Sequence, residues 1–307
     1  MKNILVFGSF NVDLVARTPH MPLPGETVNG TGFSMGPGGK GFNQCIAAGK
    51  AGGNAIMAAK IGNDSFGEIA LEKLKEVNLP LNYVIKEKTL PTGTAIIMVE
   101  ETSSQNVIVI NSGANGSFND KDFECLAPAF EKCDFLLTQL ETNIDAMEKA
   151  IKIAKQKGAK VILNPAPVKE FSKKLYSMID VITPNEIEAS ILTGIKIKTP
   201  DDAVKASKVF FERGVKNVII TLGKMGVLAA SSDEYKIFEN YDVKVMDTTG
   251  AGDAFNGGFV TALSEGKDFF DAVFFGNVVS NLAVSKKGAA NAMPSRQEID
   301  EFIRNNK

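Results

Sequence analysis

Short β-branched runs alternate along the chain with longer stretches whose apolar residues recur at helical spacing. This is the pattern of successive βαβ units around a mostly parallel sheet. Asn3 to Phe7, Ala55 to Ile61, Phe135 to Gln139, Lys160 to Asn164, Val181 to Thr183 and Asn217 to Leu222 are predicted core strands. Ser65 to Asn78, Asn143 to Gly158 and Pro200 to Gly214 are predicted helices. The first of these follows Asp64, a good cap, and carries Phe66, Ile69, Ala70, Leu74 and Val77 on one face. Two segments, about residues 11–36 and 92–113, break the alternation. They have alternating β character with no helix between their strands, as at Thr94 to Val99 and Asn106 to Ile110.

Composition narrows the class. With 307 residues, 44% of them hydrophobic, the chain can bury a large core, and one α/β domain over 1–307 is favoured above two smaller ones. A formal net charge of −2 gives no electrostatic case for nucleic acid or an anionic membrane as partner. The longest apolar runs are strand-sized, so no bilayer span is expected. Met1-Lys2-Asn3, followed directly by Ile4 to Gly8, lacks the apolar length and cleavage site of a signal peptide, which predicts a cytoplasmic protein. Cys45, Cys125 and Cys133 are too few and too scattered for a zinc site and are expected as buried or half-buried thiols. His20 is the only histidine, so a Ser-His-Asp triad is improbable; it sits in a proline-rich loop and is expected to be solvated.

Two glycine-rich turns carry the candidate chemistry. In Asp247-Thr248-Thr249-Gly250-Ala251-Gly252-Asp253, small residues meet a carboxylate at a predicted helix start. The unpaired amides there attract a negative oxygen, and Asp253 beside them can take the proton of an attacking hydroxyl. The amides of Ala251, Gly252 and Asp253 are the expected anion hole, and the chemistry is phosphoryl transfer. A plain strand-to-helix turn with Asp253 as an ordinary cap is the competing reading. The second turn, Gly36-Pro37-Gly38-Gly39-Lys40-Gly41-Phe42-Asn43-Gln44, adds a cation and amides. Gly36, Gly38 and Gly41 spell G-x-G-x-x-G, but far from the first strand, so this is no dinucleotide fingerprint. No lysine completes a Walker pattern either.

Both turns resemble motifs of the ribokinase family of carbohydrate kinases. So do Gly8 to Asp13, Pro24 to Thr27, Gln139 to Glu141, Asn164 to Pro167, Thr183 to Glu188 and Thr221 to Gly226, and the resemblance spans the whole chain. It implies an α/β fold with a mostly parallel central sheet flanked by helices on both faces. Residues 11–36 and 92–113 would form a small β-sheet lid, which would exclude water from the reaction. It implies an ATP- and Mg²⁺-dependent kinase with Asp253 as general base and Gly250, Ala251 and Gly252 around the anion. Asn11, Asp13, Gly39, Lys40, Asn43, Glu141 and Asp253 would contact the sugar. Short Asp, Asn and Glu side chains suit vicinal hydroxyls, although Asp13 alone could cap a turn and Glu141 could be a solvated carboxylate. Asn185, Thr221, Gly223, Gly226, Gly252 and Asn277 would lie near ATP. Glu188, with Asn185, would organise Mg²⁺ through water, although an Asn-x-x-Glu pair at a helix start is more simply a capping arrangement.

The resemblance further implies a monovalent cation, K⁺, at Asp247 with carbonyls of Thr249, Ala283, Lys286 and Gly288. Ala292 removes a side-chain oxygen that the family often has there. Cys45 replaces a small residue and changes packing, and Phe42 stands where alanine is usual, so it can either reshape the sugar pocket or point into the core. The expected substrate is D-ribose, phosphorylated at O5. Alternatives are 2-deoxyribose, a ketohexose, a nucleoside, a catalytically dead sugar-binding regulator and, more distantly, a nicotinamide oxidoreductase. The apolar faces and open edges of the lid strands predict a homodimer formed lid to lid.

Overall fold

The computed structural model describes residues 1–103 and 105–306. The chain opens with β1 (Asn3–Phe7), β2 (Asn11–Thr18), β3 (Gly32–Gly38), α1 (Lys40–Lys50), β4 (Asn54–Gly62), α2 (Ser65–Glu76) and β5 (Val84–Glu87). There follow β6 (Gly93–Glu100), β7 (Asn106–Asn111), α3 (Asp120–Glu131), β8 (Phe135–Thr138), α4 (Ile144–Gln156), β9 (Lys160–Leu163) and β10 (Val181–Ile182). The last third comprises α5 (Glu186–Thr193), α6 (Pro200–Glu212), β11 (Asn217–Thr221), β12 (Val227–Ala230), β13 (Tyr235–Phe238), α7 (Ala251–Ser264), α8 (Phe269–Val284) and α9 (Arg296–Asn305).

Nine strands form the main sheet in the order β13-β12-β11-β10-β9-β8-β1-β4-β5, parallel except where β12 and β13 turn back at one edge. Helices cover both faces, so the central strands are buried on both sides, which explains their unbroken apolar runs. In β1 the side chains divide by pleat: Ile4 and Val6 enter one core with α1, α7 and α8, and Leu5 and Phe7 enter the other with α3, α4 and α6. The predicted strands and helices are all present, with ends shifted by one or two residues. Asp64 caps α2 as expected, accepting from the Gly67 amide at 2.8 Å.

The helix-free segments form a second sheet, β3-β2-β6-β7, in which β2 and β6 run parallel and the outer pairs antiparallel. It grows out of the end of β1 through Gly8 to Phe10. Gly8 and Gly41 make the join possible: a Cβ on Gly41 would lie 2.6 Å from the Gly8 Cα, so β1's exit and α1's start touch backbone to backbone.

Cys45 and Cys133 are buried, whereas Cys125 is exposed, contrary to the expectation of a buried or half-buried thiol; it lies on the outer side of α3. His20 is half solvated but bonds Glu26 at 3.0 Å. Phe42 points into the core. Its ring is fully buried and meets Phe10 edge to face, centroids 4.8 Å apart. Phe42→Ala therefore opens a cavity beneath both glycine-rich turns and should cost about 3–5 kcal/mol in a denaturant titration. A loss under about 1 kcal/mol would show that the ring is not packed as described.

Candidate active site

The candidate residues gather where the parallel strands end. Gly8 to Asn11 follow β1, Gln139 to Glu141 follow β8, Asn164 follows β9, Thr183 to Asn185 follow β10, and Thr221 closes β11. In open α/β sheets ligands bind at this carboxyl edge. The N-termini of α1 and α7 enter the same crevice, but they differ. At α1 the first amides are all spoken for: Lys40 N–H donates to Glu141 Oε2 at 2.9 Å, Gly41 to Ser9 Oγ at 3.4 Å and Phe42 to the Ser9 carbonyl at 2.9 Å. At α7 Gly250 takes a left-handed φ of 76°, no side chain caps the helix, and a Cβ on Gly252 would meet nothing within 4 Å. The open helix start is α7's, where an anion would find free amides and the positive end of the dipole. One of the three expected donors is corrected: Ala251 N–H bonds the Thr248 carbonyl at 3.2 Å, which leaves the amides of Gly252 and Asp253.

Asp253, in the first turn of α7, is buried, and both its oxygens are held. Asn43 Nδ2 donates to Oδ2 at 3.0 Å and Gln44 Nε2 to Oδ1 at 2.9 Å. Burial pushes this carboxyl up, while the Lys40 ammonium and the two amide donors pull it back. With Nδ2 committed, Asn43 keeps its buried Oδ1 unpartnered, an acceptor left for a ligand's hydroxyl. Lys40 faces Asp253, Glu141 and Glu188; burial works against its charge, and the carboxylates outweigh it and raise its pKa.

Asn11, Asp13 and Glu141 come together beside this centre. Asp13 lies with its carboxylate over Gly38, and burial, then the charges of Glu141 and Asp253, push its pKa up to about 6. Glu141 Oε2 also accepts from Ser9 Oγ. Asn11 and Glu141 line a cavity of about 150 Å³ with Ile110 of β7. A larger one of about 240 Å³ is lined by Lys40, Asn185, Glu188, Thr221, Gly252 and Asp253. Gly39 joins β3 to α1 and lies against the Asn11 amide, where a Cβ would come within 2.8 Å.

The expected nucleotide residues separate. Asn185 and Thr221 line the larger cavity and pair through a parallel backbone bridge where β10 and β11 end. Gly223 and Gly226 form the turn into β12, and Gly226 packs on the Phe238 carbonyl. Asn277 does not line either cavity. It is buried in α8, donating to the Glu239 carbonyl at 2.8 Å and accepting from Asn281. Asn185 and Glu188 do form a capping box on α5, with Glu188 Oε2 accepting from the Asn185 amide at 2.9 Å. Burial raises the Glu188 pKa. Asp247 ties two loops together, accepting from Thr249 N–H at 2.9 Å and Gly288 N–H at 3.0 Å. The Ala283 carbonyl is taken by the Lys286 amide at 3.1 Å, and Ala292 is buried. Among the described residues no cluster of three or more His, Cys, Asp or Glu could hold a metal, and no helix is long and apolar enough to cross a membrane.

Four residues at the site escaped the sequence reading. Gln44, Gln139 and Asn164 form a buried amide chain under Asp253. Asn115 brackets Phe10, accepting from its amide at 3.0 Å and donating to its carbonyl at 2.8 Å, and donates to Asn11 Oδ1 at 2.9 Å. Gln44, Gln139 and Asn164 stand inside recognised motifs and could have been flagged there; Asn115 has no such signal.

Comparison with known proteins agrees with this geometry. Residues 1–296 match the model of the pfkB family of carbohydrate kinases. The chain is 41% identical to a ribokinase of Haemophilus influenzae, covering 98% of each. It is 33% identical to a deoxyribokinase of Salmonella typhi, again over 98% of each. The structure of Arabidopsis thaliana ribokinase complexed with ribose and ATP superposes with a TM-score of 0.91 at 29% identity, over 99% of this chain and 98% of that one. The chain is a member of the pfkB family of carbohydrate kinases.

Proposed function

We propose that this chain is an ATP-dependent sugar kinase that phosphorylates D-ribose at O5, giving D-ribose 5-phosphate and ADP. The observation that carries the reading is the single crevice in which a buried carboxylate, Asp253, adjoins the glycine-rich start of α7 with its open Gly252 and Asp253 amides, with Asn11, Asp13, Asn43 and Glu141 beside it. The kinship with ribokinases supports the sugar.

In this reading Asp253 takes the O5 proton as O5 attacks the γ-phosphorus. The new O5–P bond replaces the bond to the β,γ-bridging oxygen, which leaves with its electron pair on ADP. The amides of Gly252 and Asp253 face the transferred oxygens, and Lys40 offsets their charge. Asn11, Asp13, Asn43 and Glu141 read the sugar hydroxyls, and the β3-β2-β6-β7 sheet acts as a lid that keeps water out. Glu188 fits Mg²⁺: one oxygen stays free of the capping box, and its raised pKa is relieved by a cation. Bound with the phosphates, Mg²⁺ neutralises charge developing on them. At Asp247 the carbonyls of Thr249, Ala283, Lys286 and Gly288 would take K⁺, the Ala283 carbonyl through the lone pair that the Lys286 amide leaves free, with one ligand fewer than the family pattern because of Ala292.

The lid also argues for a second copy of the chain. Every residue of β7 is exposed, and Val107 and Val109 lie on the face opposite Ile110, which lines the sugar cavity. Phe33, Met35 and Ile96 add exposed apolar surface on the same sheet. Such a sheet, apolar on both faces and open at two edges, is covered most simply by its own copy.

A panel of sugars screened by ADP release tests the assignment. D-Ribose should lead in kcat/KM and 2-deoxyribose should trail by about 10-fold or more, since a missing hydroxyl leaves buried polar groups unpaired. Asp253→Asn should lower kcat by ~10²–10⁴ while ribose affinity stays within a few fold. A hexose or nucleoside ahead of ribose would remove ribose but leave the kinase; near-normal turnover of the variant would remove Asp253 as base. The pH profile carries a second expectation. Ionised, Asp13 offers both oxygens as charged acceptors to sugar hydroxyls, and protonation turns one of them into a donor and removes the charge, so kcat/KM for ribose should fall as pH drops through about 6. Asp13→Asn should abolish that bend, and a bend that survives belongs to another group. Finally, light scattering at micromolar concentration should give twice the chain mass of 32.9 kDa, and a monomer would overturn the lid-to-lid dimer.

A further inference from the structure

We propose that Gln44 is a positioning residue for Asp253, and that Gln139 supports it by satisfying the carbonyl end of the Gln44 amide. The inference rests on the reading of Asp253 as the base. Gln44 is fully buried, and both of its polar side-chain atoms have defined partners. Nε2 donates to Asp253 Oδ1 at 2.9 Å and to Asn164 Oδ1 at 3.1 Å, while Oε1 accepts from Gln139 Nε2 at 2.6 Å.

The partners determine the orientation. Asn164 Nδ2 donates to the Thr183 carbonyl at 2.8 Å, so only its oxygen can face Gln44. An ionised Asp253 presents only acceptors. Turning the Gln44 amide over would set its carbonyl against a carboxylate and a second carbonyl, with its N–H groups against the Gln139 N–H. Gln139 has no other anchor: its Oε1 is buried without a hydrogen-bond partner and occupies the space a Cβ on Gly8 would fill, 2.2 Å from that position. A buried amide that gives up half its hydrogen bonding is costly. What it retains is the one bond that satisfies the Gln44 carbonyl.

The consequence for chemistry follows from donor and acceptor count. Asn43 holds Oδ2 and Gln44 holds Oδ1, both by N–H donors, so these two amides favour the ionised carboxylate against the burial that raises its pKa, and fix its plane. The proton taken from substrate must go to a lone pair that neither amide uses. The charged groups that also face Asp253 are Lys40 on α1, Asp13 on β2, Glu141 after β8 and Glu188 on α5, and none of them is altered by changing Gln44 or Gln139.

The test is the pH dependence of kcat at saturating ribose and ATP, where the bound sugar removes the Asp13 bend seen in kcat/KM. Gln44→Met is nearly isosteric but donates nothing. Its acid limb should rise by about 1–2 pH units, the equivalent of one hydrogen bond to a charged group. Its kcat at neutral pH should fall by up to about 100-fold, with KM for ribose within a few fold. Gln139→Leu keeps both donors on Gln44 and removes only the partner of its carbonyl, which loosens its hold on Asp253, so its limb should rise by a smaller amount. If Gln44→Met fails to fold, Gln139→Leu decides alone. An acid limb unmoved in the folded variants overturns the proposal even if stability or kcat falls. Parallel Asp253→Asn measurements separate the two readings: an inactive Asp253→Asn with unmoved limbs sinks only the role of Gln44, whereas an active one sinks the base itself.

Discussion

Two neighbouring amides on the first turn of α1 hold the two oxygens of one carboxylate on α7, 210 residues further along the chain. The rest of the site depends on that clasp. A carboxylate buried without partners would simply protonate, because desolvation penalises its charge by more than folding can spare. With Asn43 and Gln44 donating, Asp253 can stay ionised in a dry crevice. The same turn of α1 is held from its other side by Glu141 and Ser9, so the carboxylates and amides of the crevice are fixed to one short piece of backbone. That piece can lie so near β1 only because Gly8 and Gly41 have no side chains.

How legible this was differs by element. The central strands could be read because both their faces are buried, which leaves continuous β-branched runs. Helices α2, α4 and α6 could be read because each covers one face of the sheet and keeps the other in water. Helix α8 escaped because it is buried nearly all round, from Ala272 through Ala283, and shows no polar stripe to set a period. Helix α3 carries Pro128 in its interior, which argues against a helix from sequence alone. Phe42 looked ambiguous because position says nothing about which side of a helix start a ring enters; packing against Phe10 decides it.

Within the site, charges and glycines were legible and neutral amides were not. Asp253, Lys40 and Glu141 stand in motifs whose residue types have few other uses at those spacings. Asn115 stands in a short helical turn after β7 and reaches Phe10 and Asn11 across about a hundred residues, a pairing that only the fold creates. The same holds for Gln139 and Gln44. Ala251 was overcounted as an anion donor because the sequence cannot show that the Thr248 carbonyl curls back to take its amide.

The charge balance of the crevice explains why so much neutral scaffolding is needed. Four carboxylates, Asp13, Glu141, Glu188 and Asp253, surround one ammonium, Lys40. Their burial and mutual repulsion are visible in the raised pKa values of Asp13, Asp253 and Glu188. An anion approaching such a site meets net negative charge, against which stand the open amides at the start of α7 and the Lys40 ammonium. Neutral amides can fix carboxylates without adding charge of either sign, whereas further lysines would form ion pairs with the very groups that must stay free for substrate. Amides under the carboxylates and a single lysine above them therefore keep the acceptors available.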